Sequence, residues 1–238
     1  MNLKKHIPNL ITLGNLFCGT VATIFAVEGD FVYAGLFVVL GILFDFFDGF
    51  AARLLHVSGE LGKQLDSLAD MVTSGVVPGI IVFKLLIANN SGLTDFNEHS
   101  YVPYLGLLLT LGACYRLAKF NIDTRQSDSF IGLPTPAMSL FIISLPLIQE
   151  YSTVAFAQEL IASNYFLIAV TLILTYLMNA ELPLFSLKFK DYSFKKNIIV
   201  YSFLFASLIL IYTLHFLSIP FIIILYIIIS LIKKNNCF

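Results

Sequence analysis

Four aspartates lie within a stretch of 26 residues that is flanked by apolar runs long enough to cross a bilayer: Asp45, Asp48, Asp66 and Asp70. Charge at hydrocarbon depth is costly and usually marks a functional site. Like charges a few ångströms apart suppress each other's ionisation, so four carboxylates in one pocket require bound cations. Ligand sets made only of oxygen favour hard cations, so the sequence predicts Mg²⁺ or Mn²⁺ rather than zinc.

The spacing of these acids predicts two helices whose polar faces meet. Asp45 and Asp48 are three residues apart and therefore share one helix face. Asp66 and Asp70 are four residues apart and share a face of the next helix. A short turn between the helices lets both faces line one pocket.

The elements that carry these acids belong to a strongly apolar chain. Hydrophobic residues make up 58% of its 238 residues, charged residues make up 12%, and the mean hydropathy is +0.87. This composition is typical of membrane proteins. The net charge of −1 says nothing about nucleic acid, and since no basic tract suggests it, no nucleic-acid partner is expected. The three cysteines show no metal-ligand spacing.

Apolar runs predict an all-α, polytopic transmembrane bundle of about eight spans, because a spanning helix needs about 20 mostly apolar residues. The predicted spans are 8–28, 31–54, 67–88, 102–119, 136–150, 163–180, 197–215 and 217–232. The last two are separated by so few residues that they form either a tight hairpin or one kinked element.

The distribution of Lys and Arg predicts how this bundle is oriented. Thirteen of the 14 cationic residues fall at the termini or in connections on one side, and Lys84 alone lies near the other side, where its long side chain can reach the interface. By the positive-inside rule, both termini and the acids face the cytoplasm. The sequence therefore predicts a multi-pass protein of the cytoplasmic (inner) membrane.

Written as a pattern, the acidic stretch reads D-x2-D-G-x2-A-R-x8-G-x3-D-x3-D, and all eight fixed positions are filled: Asp45, Asp48, Gly49, Ala52, Arg53, Gly62, Asp66 and Asp70. This is the signature of the CDP-alcohol phosphatidyltransferase family, which the chain resembles. The resemblance implies that Asp45, Asp48 and Asp66 hold metal, with two ions expected, and that Asp70 also lies near it. Asp70 is then the general base that accepts the proton of the acceptor alcohol.

The resemblance also implies roles for the uncharged motif positions and for Arg53. Gly49 and Ala52 leave room for the nucleotide of a CDP-lipid, although close helix packing is an alternative. Arg53 can donate a bidentate pair to phosphate or anchor its helix at the interface, and Gly62 permits close approach. Asn15 on the first helix lines the nucleotide end or bonds a neighbouring helix.

Further segments resemble the branch of this family that uses L-serine as the acceptor: residues 8–19, 65–78, 115–121 and 132–137. This likeness extends over about residues 7–180 and implies transfer of a phosphatidyl group from CDP-diacylglycerol to L-serine, with release of CMP. A serine site needs a cation near the acids. Arg116, Lys119 and Asn121 are the candidates for serine or lipid phosphate, with interfacial anchoring or helix capping as alternatives.

The resemblance predicts the organisation of the chain as well. Residues 1–180 form the catalytic core of six helices, and residues 181–238 form a C-terminal transmembrane hairpin with a basic tail. Members of the family are similar in forming homodimers, so a homodimer surrounded by membrane lipids is expected.

Other interpretations stay open. The same chemistry on glycerol 3-phosphate or inositol phosphate, or with a CDP-archaeol donor, also fits the motif. An intramembrane prenyltransferase uses acids and Mg²⁺, but its Asp-rich motifs lie far apart in sequence. A cation transporter would leave the spacing of Gly49, Ala52, Arg53 and Gly62 without a reason.

Overall fold

The computed structural model describes residues 6–57, 59–89, 101–123, 130–184 and 198–235. These residues form a helical bundle, which confirms the predicted fold class. The helices are α1 (His6–Glu28), α2 (Phe31–Leu54), α3 (Glu60–Asp70), a π-helical segment (Met71–Val76), α4 (Val77–Ala88), a 3₁₀ helix (Val102–Leu107), α5 (Leu108–Ile122), α6 (Thr135–Tyr151), α7 (Ala155–Ile161), α8 (Asn164–Asn179), α9 (Ile198–Leu214), a second 3₁₀ helix (His215–Leu217) and α10 (Ser218–Asn235). Two short strands, β1 (Phe130–Ile131) and β2 (Pro183–Leu184), pair antiparallel.

α1 and α2 form an antiparallel hairpin around a tight turn. Gly29 adopts a φ of +88°, a conformation that favours glycine. Asp30 caps α2, because its side chain accepts a hydrogen bond of 3.1 Å from the backbone N–H of Tyr33. The hairpin therefore places the end of α2, which carries Asp45 and Asp48, beside the start of α1.

α3, the π-helical segment and α4 form one continuous helical stretch from residue 60 to residue 88, longer than the predicted span of 67–88. The backbone N–H of Val77 donates to the carbonyl of Val72, five residues back. The Thr110 hydroxyl of α5 donates to the Gly75 carbonyl at 2.9 Å. Pro78 cannot donate a backbone hydrogen bond, so this side-chain contact helps to satisfy the altered helical turn.

Within the described residues, four helical stretches have the length and hydropathy to cross a bilayer: 6–28, 31–54, 60–88 and 200–232, the last of which contains the turn between α9 and α10. The pair α7 and α8, which are bent by 75° at their junction, would add a fifth. The chain is therefore a membrane protein. The predicted count of eight spans and the cytoplasmic orientation of the termini stay predictions.

α9 and α10 form a hairpin rather than one kinked helix. The rings of Phe203 and Tyr226 lie 6.0 Å apart, and Val200 and Phe203 pack with Ile222 and Ile229. In one straight helix, residues 203 and 226 would be about 35 Å apart. The hairpin also joins the rest of the bundle, because Ile223 of α10 belongs to the main core. The predicted division of the chain at residue 180 stays a prediction.

The main core lies between α1, α2, α4, α5, α6 and α8. Its fully buried large side chains include Val38, Ile81, Leu86, Leu109, Met138, Ile142 and Leu167. This packing fixes the relative positions of α1 and α2, and it fixes α4, which continues from α3 through the π-helical segment.

Candidate active site

The structure brings three of the four motif aspartates together. Asp45 and Asp48 project from the last turns of α2, and Asp66 projects from α3. One carboxylate oxygen of each lies within 4.8 Å of the others. Asp48 is buried, and Asp45 and Asp66 are half-buried. The short connection over residues 55–59 lets α3 fold back along α2, as the sequence predicted.

The acid cluster has the chemistry of a site for a hard divalent cation. All of its available donor atoms are carboxylate oxygens, which Mg²⁺ and similar ions prefer. The Oδ1 atom of Asp66 is buried and has no hydrogen-bond partner within the part of the chain that the structure describes. A buried anionic oxygen without a partner is costly, and a bound cation would satisfy it. Asp45, Asp48 and Asp66 therefore fit a metal site.

α1 supplies hydrogen bonds that hold the acids of α2 and α3. The Thr12 hydroxyl lies 2.5 Å from Oδ2 of Asp48 and 3.1 Å from the carbonyl of Pro8. Nδ2 of Asn15 donates to Oδ1 of Asp70 at 3.1 Å. These bonds orient the two carboxylates from the side opposite the α2–α3 turn.

A cavity of about 240 Å³ lies between the first turns of α1, the end of α2 and the start of α3. Its lining residues are Pro8, Asn9, Thr12, Asp48, Gly49, Ala52, Val57, Gly59, Gly62, Lys63 and Asp66. A Cβ atom at Gly49 would meet no atom within 4 Å, whereas one at Gly62 would come within 3.3 Å of Oδ1 of Asn9. Gly49 thus borders open space beside the acids, whereas Gly62 lies closely against Asn9.

Asn15 and Arg53 do not line this cavity. Asn15 is fully buried, and its side chain contacts Asp70 and Thr73, which matches the interhelical alternative. Arg53 is exposed, and its Nε donates to the carbonyl of Gly49 at 3.0 Å. The guanidinium borders a separate depression on the outer face of α2 together with Phe50 and His56. The structure does not bring Arg53 to the acids.

Arg116 points into the bundle from α5. It is only 8% exposed, and it lies close enough to the Asp70 carboxylate for an electrostatic interaction. Its Nη2 atom is 3.5 Å from the carbonyl of Gly132, which makes a weak hydrogen bond. Its buried Nε atom has no hydrogen-bond partner among the described residues. The buried Nε atom of Arg116 therefore retains the capacity to donate a hydrogen bond to an anion.

Lys119 and Asn121 make contacts with the protein instead. The ammonium of Lys119 lies 3.7 Å from a carboxylate oxygen of Glu181. The Asn121 amide donates to the Ser67 hydroxyl at 2.9 Å, and its backbone carbonyl accepts a 2.5 Å hydrogen bond from Lys63. Asn121 thereby connects the end of α5 to α3. Arg125, the next cationic residue in the sequence, lies outside the described residues.

Sequence reasoning missed two residues of the site, Thr12 and Thr73. Thr12 contacts Asp48, and the Thr73 hydroxyl donates to Oδ1 of Asn15 at 2.7 Å. A signal was present, because Thr12 lies three residues before Asn15 and Thr73 lies three residues after Asp70. Polar side chains at helical spacing from a functional residue share its face.

Comparisons with known proteins identify relatives of this chain. The sequence profile of the family described as CDP-alcohol phosphatidyltransferase matches residues 5–186. The chain is similar to the CDP-diacylglycerol–serine O-phosphatidyltransferase of Bacillus subtilis, with 35% identity over 145 residues, which cover 59% of this chain and 75% of that protein. It is 34% identical over 138 residues to the Helicobacter pylori protein of the same name, covering 57% of this chain and 55% of that protein. It is 32% identical over 178 residues to the archaetidylserine synthase of Methanothermobacter thermautotrophicus, covering 71% and 72% of the two chains.

Proposed function

The chain belongs to the CDP-alcohol phosphatidyltransferase family, and we propose that it is the membrane transferase that moves a phosphatidyl group from CDP-diacylglycerol to L-serine, giving phosphatidylserine and CMP. The observation that carries this proposal is the cluster of Asp45, Asp48 and Asp66 beside the cavity bordered by Gly49. The acceptor is supported by the relatives, because the names of all three specify serine while they differ in the lipid.

The family depends in general on divalent metal, and this chain has an aspartate cluster that fits one. We propose Mg²⁺ or Mn²⁺, with two ions held by Asp45, Asp48 and Asp66 and with Asp70 at the edge of the site. When bound, the metal neutralises charge on the pyrophosphate of the donor as its P–O bond breaks.

In the proposed mechanism, Asp70 accepts the proton of the serine hydroxyl while the serine oxygen attacks the phosphorus that carries the diacylglycerol. The bond between that phosphorus and the bridging oxygen breaks, and CMP leaves. The hydroxyl needs such a base because it is a weak nucleophile near neutral pH. No covalent enzyme intermediate is required.

Arg116 is the proposed partner of the serine carboxylate or of the lipid phosphate. Its burial next to Asp70 would bring an anionic group of a substrate close to the base. A charge-assisted hydrogen bond from guanidinium to carboxylate or phosphate is among the stronger contacts available to the site. Lys119 and Asn121 remain weaker candidates, since both already contact the protein.

We also propose the setting of the enzyme. The positive-inside pattern supports a site that faces the cytoplasm from the inner membrane, where serine arrives from the water and the lipid arrives sideways through the bilayer. The proposed homodimer rests on family resemblance.

The test is serine-dependent release of CMP by the purified protein with CDP-diacylglycerol and Mg²⁺ or Mn²⁺. Glycerol 3-phosphate and inositol phosphate serve as competing acceptors, and CDP-archaeol serves as the competing donor. We expect release with serine and a decrease of about 10²- to 10⁴-fold in kcat in Asp70→Asn, the range for loss of a general base. Release with another acceptor alone would replace serine in the proposal. Folded protein that binds the CDP-lipid but releases no CMP with any acceptor would overturn it.

A further inference from the structure

Behind Asp70, two buried polar side chains form a chain of hydrogen bonds. Asn15 and Thr73 are both fully buried. The Thr73 hydroxyl lies 2.7 Å from Oδ1 of Asn15, and Nδ2 of Asn15 lies 3.1 Å from Oδ1 of Asp70. The three residues come from α1, the end of α3 and the π-helical segment, so these bonds connect elements more than 50 residues apart in sequence.

The donor and acceptor groups of these side chains determine which way the hydrogen bonds run. An amide oxygen only accepts hydrogen bonds and an amide nitrogen only donates them. When the Thr73 hydroxyl donates to the amide oxygen of Asn15, the amide nitrogen is turned toward Asp70. The opposite amide orientation would place an oxygen against the Asp70 carboxylate, where two acceptors repel. Because a carboxylate only accepts hydrogen bonds while a hydroxyl both donates and accepts, Asp70 selects this orientation of the Asn15 amide. The Thr73 hydroxyl stabilises the orientation by donating to the amide oxygen.

Local packing keeps Thr73 close to Asn15. A Cβ atom at Gly19 of α1 would overlap the Thr73 hydroxyl, and one at Gly41 of α2 would come within 2.7 Å of Cγ2 of Thr73 and 2.8 Å of Oδ1 of Asn15. Glycine at these two positions lets α1, α2 and the π-helical segment approach one another at the hydroxyl. The contact is thus enclosed on two sides by backbone.

We propose that Asn15 and Thr73 are positioning residues for Asp70 in the transfer reaction, with Thr73 acting through Asn15. Asn15 holds Oδ1 of Asp70 and leaves Oδ2 to face the hydroxyl of the acceptor. This inference rests on the proposed function of Asp70 as the base. It replaces the predicted role of Asn15 at the nucleotide end with a role behind the carboxylate.

The test compares Thr73→Val, which removes the hydroxyl and keeps the shape, with Thr73→Ser, which keeps the hydroxyl. We expect Thr73→Val to lower kcat about tenfold, the upper scale of one buried hydrogen bond between neutral groups, with KM for CDP-diacylglycerol within about twofold of the wild type. Thr73→Ser should restore kcat to within about threefold of the wild type. Thermal stability of each variant is measured in parallel, because a purely structural role would lower stability without lowering the kcat of the protein that remains folded.

A double-mutant cycle tests whether Thr73 acts through Asn15. We expect Asn15→Ala to lower kcat by about 10- to 100-fold, the range for partners that orient a functional ligand. Adding Thr73→Val to Asn15→Ala should cause little further loss, because the 2.7 Å contact with the Asn15 side chain is already absent and only the longer 3.2 Å contact with the Asn15 backbone carbonyl remains. If the two substitutions lower kcat independently, so that their losses multiply, Thr73 does not act through Asn15.

The outcomes separate this inference from the proposed function. Wild-type protein that releases no CMP with serine defeats the function itself. Active wild type with unchanged kcat in Thr73→Val, or with equal losses in Thr73→Ser and Thr73→Val, overturns the inference alone. If Thr73→Val does not fold, Asn15→Ala decides, and unchanged kcat in that variant overturns the inference.

Discussion

The acidic and the cationic halves of the candidate site differ in how they are built. The acids Asp45, Asp48 and Asp66 project from two adjoining helices and converge within 4.8 Å. Arg116 and Lys119 both come from the end of α5, yet they separate. Arg116 is buried beside Asp70, whereas Lys119 pairs with Glu181 and its side chain is 34% exposed.

This difference follows from how far each residue lies from the end of its helix. The acids lie on helix faces that are covered by α1, so their direction is set by helical periodicity. Lys119 lies one turn nearer the end of α5 than Arg116 and contacts Glu181 beyond the end of α8. Residues at a helix end are directed by whichever neighbouring segment covers them. The acidic half should therefore respond sharply to single changes, and the cationic half should respond only at Arg116.

The largest expected effect comes from removing an acid of the cluster. Asp66→Asn should lower kcat by roughly 10³-fold, the scale for losing one electrostatic stabiliser of a transition state, and should weaken Mn²⁺ binding measured by titration calorimetry. Asp66 is chosen because its buried Oδ1 has no hydrogen-bond partner among the described residues. If Asp66→Asn keeps more than a tenth of wild-type activity, the acidic half does not respond sharply to single changes.

The matched control for this variant is Asp30→Asn at the other end of α2. Asp30 caps the helix through a 3.1 Å hydrogen bond from the Tyr33 backbone, and asparagine caps about as well. Activity and Mn²⁺ binding should therefore stay within about twofold of the wild type. An equal loss in both variants would indicate damage to α2 rather than to a metal site.

The next effect concerns the buried cation. Arg116→Gln should raise KM for serine by about 10- to 100-fold, because a charged hydrogen bond to a substrate carboxylate is lost. Steady-state kinetics with each substrate varied in turn provide the measurement. A rise confined to KM for CDP-diacylglycerol would assign Arg116 to the lipid phosphate. Unchanged KM values for both substrates would contradict its place in the site.

The sequence predicts the convergence of the acids but not the residues that hydrogen-bond to them. Helical spacing determines which residues of one helix share a face, but it does not determine contacts between helices. The bounds of α2 match the predicted span of 31–54, and three of the four acids that were predicted to share one pocket lie within 4.8 Å of one another. The π-helical segment and the hydrogen bonds of Thr12 and Thr73 depend on contacts between residues 35 to 58 positions apart. The direction of Arg53 was also undetermined, because its Nε bonds to the backbone of its own helix. These features are determined by how the helices and side chains pack in the folded protein.

A smaller effect is expected at Gly49. It distinguishes a glycine that leaves room for the nucleotide from one that serves helix packing. Gly49→Ala should raise the free energy of unfolding by about 0.4–1 kcal/mol, since glycine within a helix is entropically unfavourable. The same change should raise KM for CDP-diacylglycerol roughly fivefold, because the methyl group enters space beside the acids. Thermal unfolding and kinetics provide the two measurements.

Gly14→Ala on α1 is the control for Gly49→Ala. A Cβ atom at Gly14 would make an ordinary contact of 3.4 Å with the Phe44 ring, away from the residues that line the cavity. It should therefore increase stability without changing KM. If Gly49→Ala behaves in the same way, Gly49 serves helix geometry and the nucleotide does not lie against it.

The smallest effect is expected where the cationic half meets solvent. The Lys119–Glu181 pair is separated by 3.7 Å and partly exposed, so it contributes at most about 1 kcal/mol to stability. If pairing is the whole role of Lys119, Lys119→Gln and Glu181→Gln should leave KM for serine within about twofold of the wild type. A rise in KM for serine in Lys119→Gln alone would mean that Lys119 binds substrate. The cationic half would then extend from the buried guanidinium to the helix end, and depth along α5 would no longer separate binding residues from surface pairs.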